Sequence, residues 1–315
     1  MRFCLYGNFS VSYCSEQHHA LSLEALGHKV IRLQETEITT NLVLETSLQS
    51  DALIWIHSHG FVNKGTLSME QVLDTLRERG IPTLAYHLDL YMGIERWNEY
   101  KNSPYLNKLQ HFFTVDKLMA EWLNKNTKTK GHFVPAGVLH EECYSLDLPK
   151  RYDVVFTGSK GYHREWSYRP KLIEWLRMTY GDRFYHFGGD GLGVVRGHEL
   201  NKLYSQSKVV VGDTLCPNFT YPWYSSDRLW DTLGRNGFLI YPEIYGLSNY
   251  FTNDKDLVYY TYGDFEGLKK KIDYYLDPKN EYERETIRRT GHERCKKEGT
   301  YYHRWGEIIK TVYNL

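Results

Sequence analysis

Arg228 and Asp231 stand three residues apart in the segment SDRLWDTLGRNG, residues 226–237. On a helix that spacing puts both side chains on one face. The arginine can then meet a diphosphate while the carboxylate takes two ribose hydroxyls. A plain surface ion pair, worth little energetically, fits the same spacing. Gly158-Ser159 follows the apolar run DVVFT and precedes His163, Arg164 and Arg169. A small-residue turn lets backbone N–H groups approach a phosphate, and arginines grip phosphates with two bonds. A structural turn is the alternative for Gly158-Ser159.

Asp89 ends the run PTLAYHL, beside His87 and near Arg96. A carboxylate beyond a strand can take the proton of an acceptor hydroxyl, or simply cap a helix or turn. Ser15-Glu16 opens a helix-like segment, where Glu16 can bind sugar hydroxyls or belong to a cap. His18 and His19 are adjacent, so on a helix they point different ways and make a poor metal pair. His57 and His59 alternate at a strand end and share a face, which suits acceptor contact or packing. GGDGLG, residues 188–193, lacks the partners of a dinucleotide loop and reads as a mobile loop over a donor. The basic stretches 269–271 and 284–297 read as solvated helix faces.

These residues need elements to hold them. Residues 2–6, 29–33, 52–56, 82–88 and 110–115 are short apolar runs, with a further short one at 132–134, and helical segments at 16–26, 69–79 and 117–123 fall between them. Such alternation predicts a parallel sheet with helices on both faces. After a linker at 148–151 the pattern restarts, with strands at 153–157, 183–187, 209–212 and 238–241 and helices at 170–180, 200–205 and 228–234. Two consecutive α/β halves predict a cleft between them, beyond the carboxyl ends of the strands. Residues 301–312 are amphipathic and predict a docking helix.

The 315 residues suffice for two domains. Lys+Arg and Asp+Glu balance at 39 each, so no strong global field for nucleic acid or membrane exists. The five cysteines are odd in number and form no C-x-x-C pair, which fits reduced thiols in the cytosol. No run of about 18 apolar residues predicts a membrane span.

The order of these segments resembles a GT-B glycosyltransferase. From TGS through DRLWDTLGRNGFLIYPE to TYYHRW, the second half resembles the CgeB-like, spore-maturation-type glycosyltransferases. A more specific resemblance spans both halves and is to the phage DNA β-glucosyltransferases, which modify hydroxymethylcytosine. It rests on Ser15-Glu16, Asp89, Trp97-x-x-x-Lys101-Asn102-x-Pro104, Gly158-Ser159 with Arg164 and Arg169, and Arg228-x-Trp230-Asp231-Thr232, where Asp231 replaces a glutamate. The resemblance implies two Rossmann-like domains facing a central cleft: 1–148 for the acceptor and 149–315 for the donor, with the C-terminal helix docking across. It implies a UDP-sugar donor, first UDP-glucose, and inverting transfer to a hydroxyl, first on hydroxymethylated double-stranded DNA. Asp89 would be the base and Glu16 would orient the sugar. Gly158, Ser159, Arg164, Arg169 and Arg228 would hold the diphosphate and Asp231 the ribose. His57, His59, Trp97 and Lys101 would meet the acceptor. Arginines would replace a metal, so no obligatory cofactor is expected, and no membrane partner. The cytoplasm is the expected location, a host's if the chain is phage-encoded. A CgeB-like transferase acting on a glycan, protein or small molecule, and a non-catalytic nucleotide-sugar-binding protein, are the alternatives.

Overall fold

β1 (Arg2–Gly7) removes Phe3, Cys4, Leu5 and Tyr6 from water, and all four residues of β3 (Ala52–Trp55) are buried. Strands covered on both faces need such unbroken apolar runs, and they belong to parallel sheets. A computed structural model describes residues 1–315 except 59, 61, 162 and 163. With β2 (Lys29–Gln34), β4 (Thr83–His87), β5 (His111–Thr114) and β6 (Lys130–Phe133), these strands form a parallel sheet in the order β2-β1-β3-β4-β5-β6.

The helices of this sheet are α1 (Ser15–Ala25), α2 (Thr40–Leu48), α3 (Met69–Glu78), the short α4 (Trp97–Tyr100) and α5 (Tyr105–Lys108), and α6 (Lys117–Asn126). Their starts follow local chemistry. Ser68 and Gln71 close a capping box on α3, and the Asp116 carboxylate accepts the Leu118 and Met119 N–H groups of α6. α1 ends before Gly27, whose φ of +83° suits a residue without a Cβ.

The second sheet contains β7 (Tyr152–Thr157), β8 (Phe184–Phe187), β9 (Ser207–Val211), β10 (Leu239–Pro242) and β11 (Val258–Tyr260), parallel in the order β11-β10-β9-β7-β8. Its helices are α7 (Tyr168–Tyr180), α8 (Gly197–Gln206), α9 (Asp227–Gly234), α10 (Phe265–Leu276) and α11 (Glu281–Glu298). The last helix is α12 (Tyr301–Tyr313). The predicted strands and helices form, within a few residues at their ends; α2, the short α4 and α5, and β11 come in addition, and α10 and α11 carry the stretches 269–271 and 284–297 that read as helix faces.

The chain divides into two units, Met1–Pro135 with Tyr301–Leu315, and Ala136–Thr300. The sequence predicts a division after 148, with the C-terminal helix in the second half. Two sets of contacts account for the difference. α12 buries Trp305 and Ile308, and the Trp305 indole N–H donates to His19 Nδ1 of α1 at 3.1 Å. Residues 136–148 belong with the second sheet: Val138 bridges to Thr300, and Asn201 Nδ2 donates to the carbonyls of Glu142 and Tyr144.

Both sheets wind the same way. Each starts at an inner strand, takes its second strand on one side, and then crosses to the other side for the rest. The winding reverses between β1 and β3 in the first unit, and between β7 and β9 in the second. At such a reversal the loops beyond adjacent strands diverge and leave a crevice, the usual ligand position in an open α/β sheet.

Candidate active site

The second unit's reversal carries the Gly158-Ser159 turn after β7 and Asp213 after β9. Gly158 has φ of +124°, and a Cβ there would lie 2.4 Å from Arg228 Nη2. A glycine is therefore required for the guanidinium to approach the turn. His186 Nε2–H donates to the Gly158 carbonyl at 2.8 Å. The glycine-rich loop 188–193 folds onto the same turn. Its Asp190 carboxylate accepts the Lys160 N–H, and its Gly189 N–H donates to Ser159 Oγ at 3.4 Å. A small pocket lies there, lined by Thr157, Gly158, Ser159, Phe187, Gly188 and Arg196 among others.

Asp213 organises the charges beside that turn. Its fully buried carboxylate accepts Arg169 Nε at 3.0 Å, Arg228 Nη1 at 3.1 Å and the Trp166 indole N–H at 3.0 Å. Arg169 Nη1 also donates to the Ser159 carbonyl at 3.3 Å. Burial alone would favour the neutral form of Arg228, but Asp213 and Asp227 hold the proton on it more firmly than usual. Asp213 thus gathers two guanidinium groups beside the Ser159 carbonyl, with the Asp227 carboxylate also acting on Arg228. Arg164 is exposed in the segment that leads into α7. The pairing within α9 differs from an ion pair at i,i+3: Arg228 goes to Asp213, and Asp231 accepts Arg235 Nε at 2.8 Å. Arg235 is in turn bonded to Glu142 and to Asn201 Oδ1.

The first unit's reversal carries Glu16 and His57. Glu16, at the start of α1, is 1% exposed, and its Oε1 lies 2.5 Å from His57 Nδ1, just beyond β3. The same oxygen accepts the Asn8 N–H at 3.2 Å. A Cβ on Gly7 would fall 2.7 Å from the Glu16 side chain, so the end of β1 makes room for this carboxylate. Burial lowers the His57 pKa, but the Glu16 bond and the charges of Glu16, Asp89 and Glu35 outweigh it and leave the imidazole above its ordinary value. Glu35, beyond β2, is raised by burial, with His57 opposing. Asp89 is half-buried two residues after β4.

The other predicted residues are placed less centrally. Trp97 packs edge-on to Trp122 with ring centroids 4.9 Å apart, and Lys101 is exposed just after α4. Arg96 lies over the Tyr91 ring. His59 and His163 lie outside the described residues. His19 is consumed by the Trp305 bond, and burial holds its pKa well below the ordinary value. Among the described residues no group of three His, Cys, Asp or Glu side chains is placed to hold a metal ion, and no helix is long and apolar enough to cross a membrane. Asp213 and Glu35 escape sequence reasoning. Each stands just past an apolar run, as Asp89 does, and that position is the signal that finds them.

Two parallel, doubly wound units in one chain match known proteins across their full length. A glycosyltransferase from Rickettsia africae superposes with a TM-score of 0.66 at 13% identity, covering 99% of this chain and 98% of that one. The fold is GT-B. Anabaena HepE in complex with UDP and glucose gives a TM-score of 0.66 at 10% identity over 100% of both chains. An alpha-glucosyltransferase in complex with UDP and a 13-mer DNA gives 0.68 at 10% identity, over 99% of this chain and 100% of that one. Residues 162–310 match the family model described as glycosyl transferase-like. No curated protein matches the chain. In GT-B terms the match spans most of the second unit and reaches into α12.

Proposed function

We propose that this GT-B chain is a glycosyltransferase that moves a hexose, glucose first, from a UDP-sugar to an acceptor hydroxyl. The leading acceptor is a 5-hydroxymethylpyrimidine in phage double-stranded DNA. The observation that carries the reading is the pair of arginines gathered on buried Asp213 beside the Gly158-Ser159 turn. Two guanidinium groups beside a small-residue turn after a strand suit a departing diphosphate. The glycosyl transferase-like match over 162–310 and the UDP complexes of proteins with this fold support the same donor class.

Arg228 and Arg164 neutralise the leaving diphosphate at the Gly158-Ser159 turn, where the Phe187 carbonyl takes the Gly158 N–H, and Arg169 braces the turn through the Ser159 carbonyl. Asp231, fixed by Arg235, offers its second oxygen to the ribose. Asp89 takes the proton of the acceptor hydroxyl as that oxygen attacks the anomeric carbon, which inverts. His57, Trp97 and Lys101, with His59, contribute to the acceptor side. The arginines serve as the electrophile, so the reaction needs no metal.

Incubation with several UDP-sugars and with hydroxymethylated or unmodified duplex DNA tests this, read by nucleoside mass spectrometry. Glucose on the hydroxymethylated base, as the β-anomer by NMR, is the expected result. Transfer to a glycan, peptide or small molecule with none to DNA replaces the acceptor with the CgeB-like alternative. UDP-sugar binding without transfer to any acceptor makes the chain a non-catalytic binding protein.

A further inference from the structure

The loop 188–193, which reads in the sequence as a mobile cover over a donor, is bonded to the Gly158 turn. Its Asp190 accepts the Lys160 N–H with both carboxylate oxygens, at 2.9 and 3.1 Å. Its Gly189 N–H donates to Ser159 Oγ at 3.4 Å. The end of β8, which leads into the loop, holds the other side of the turn. The Phe187 carbonyl takes the Gly158 N–H at 2.7 Å, and His186 Nε2 donates to the Gly158 carbonyl at 2.8 Å. A carbonyl only accepts, so Nε2 carries the proton. His186 is buried, and its Nε2 lies 3.9 Å from Asp190 Oδ1. The loop keeps its own shape through the Leu192 N–H on the His186 carbonyl and the Gly191 N–H on the Gly188 carbonyl.

Two of the glycines are required by this packing. A Cβ on Gly188 would fall 2.6 Å from the Gly158 carbonyl oxygen, and one on Gly191 would fall 2.4 Å from the His186 carbonyl oxygen. Backbone that approaches backbone so closely leaves no room for a side chain.

The same bonds decide which groups of the turn meet a ligand. Gly158 N–H and C=O and Lys160 N–H are all engaged within the protein. Ser159 Oγ accepts from Gly189, so its own proton is the one it gives to an anion. A turn held on both sides before the ligand arrives needs no ordering when the ligand binds.

We propose that Asp190 and His186 are positioning residues of the donor site. They hold the turn 158–160 so that the Ser159 hydroxyl and Arg228 meet the diphosphate, which is gripped by these side chains and not by the Gly158 and Lys160 N–H groups. This rests on the turn being the diphosphate site.

Isothermal titration calorimetry of the full chain with UDP and with uridine tests it, because only UDP carries the diphosphate. Asp190→Ala should weaken UDP binding about tenfold, for one lost bond to a charged acceptor, and leave uridine binding as it is. Asp190→Asn keeps an oxygen for the Lys160 N–H and should keep UDP affinity. His186→Gln keeps an N–H for the Gly158 carbonyl and should retain what His186→Leu loses. Urea midpoints establish that each variant is folded. Unchanged UDP binding in Asp190→Ala overturns the proposal. Tighter UDP binding overturns it too, and means that the carboxylate occupies the anion's place. An equal loss for UDP and uridine, or no rescue by Asp190→Asn, overturns it and leaves the loop a merely structural role. A natural chain that binds UDP no more tightly than uridine fails the diphosphate reading, and the proposal falls with it. Loss of UDP affinity in Arg228→Ala but not in Asp190→Ala fails the proposal alone.

Discussion

Arg228 donates from Nη1 to Asp213 twice, to the backbone carbonyl and to Oδ1, each at 3.1 Å, although Asp231 stands on its own helix three residues on. The bond draws the guanidinium off the face of α9 and to the Gly158 turn, where any side chain at 158 would collide with it. The residue pair that looks like a surface ion pair in the sequence is thus split between two networks.

Arg228→Ala should weaken UDP binding by about 10- to 100-fold, the loss of roughly 1.5–3 kcal/mol for a hydrogen bond to a charged group. Isothermal titration calorimetry with UDP reads this directly. Unchanged affinity removes Arg228 from the donor site.

Asp213→Asn leaves Arg169 and Arg228 without their shared countercharge in a buried place. Breaking a buried ion pair by removing one partner costs about 3–5 kcal/mol. The urea midpoint should fall accordingly, and a loss well under 1 kcal/mol would mean that the two arginines find other partners.

Asp89→Ala should reduce transfer by about 10²- to 10⁴-fold, the usual contribution of a general base. UDP affinity should stay as it is, because the proposed donor site lies in the second unit. Near-normal transfer by a folded variant rules Asp89 out as the base.

The raised His57 pKa has a definite sign in stability. A group whose folded pKa lies above its ordinary value of 6.5 stabilises the fold fully below that value. The contribution is lost as pH rises through the folded pKa. The stability gap between the natural chain and His57→Gln should therefore be widest in mild acid and narrow towards alkaline pH. A gap that widens with pH contradicts the direction.

Trp305→Ala removes a fully buried indole and the N–H that satisfies His19. Large-to-small changes of this kind cost about 3–5 kcal/mol. Loss of residues 301–315 should destabilise the first unit in the same way. Differential scanning calorimetry checks both, and a transition unaffected in the first unit would show that α12 is dispensable there.

Much of the architecture is local and was therefore legible. Short apolar runs such as that in DVVFT suit strands covered on both faces, and their alternation with helices points to a parallel sheet. The Gly158-Ser159 turn and the position of Asp89 past a strand followed from the same runs. α11 follows no such pattern. Its buried positions include Arg284, Gly291, His292 and Cys295, residue types that make no apolar stripe. Arg284 is buried because the Tyr275 carbonyl accepts its Nη1, a partner that no periodicity in α11 announces.

The chemistry of the site was decided by tertiary structure. Asp213 meets Arg169 and Arg228 across 44 and 15 residues of chain, and Glu16 meets His57 from another strand's end. Sequence supplied the residue types and their positions beyond strands. Only the reversal of strand order brings the loops after β1 and β3, and after β7 and β9, side by side. Hydrogen bonds and charge coupling act over a few ångströms, so they depend on that spatial neighbourhood and not on distance along the chain.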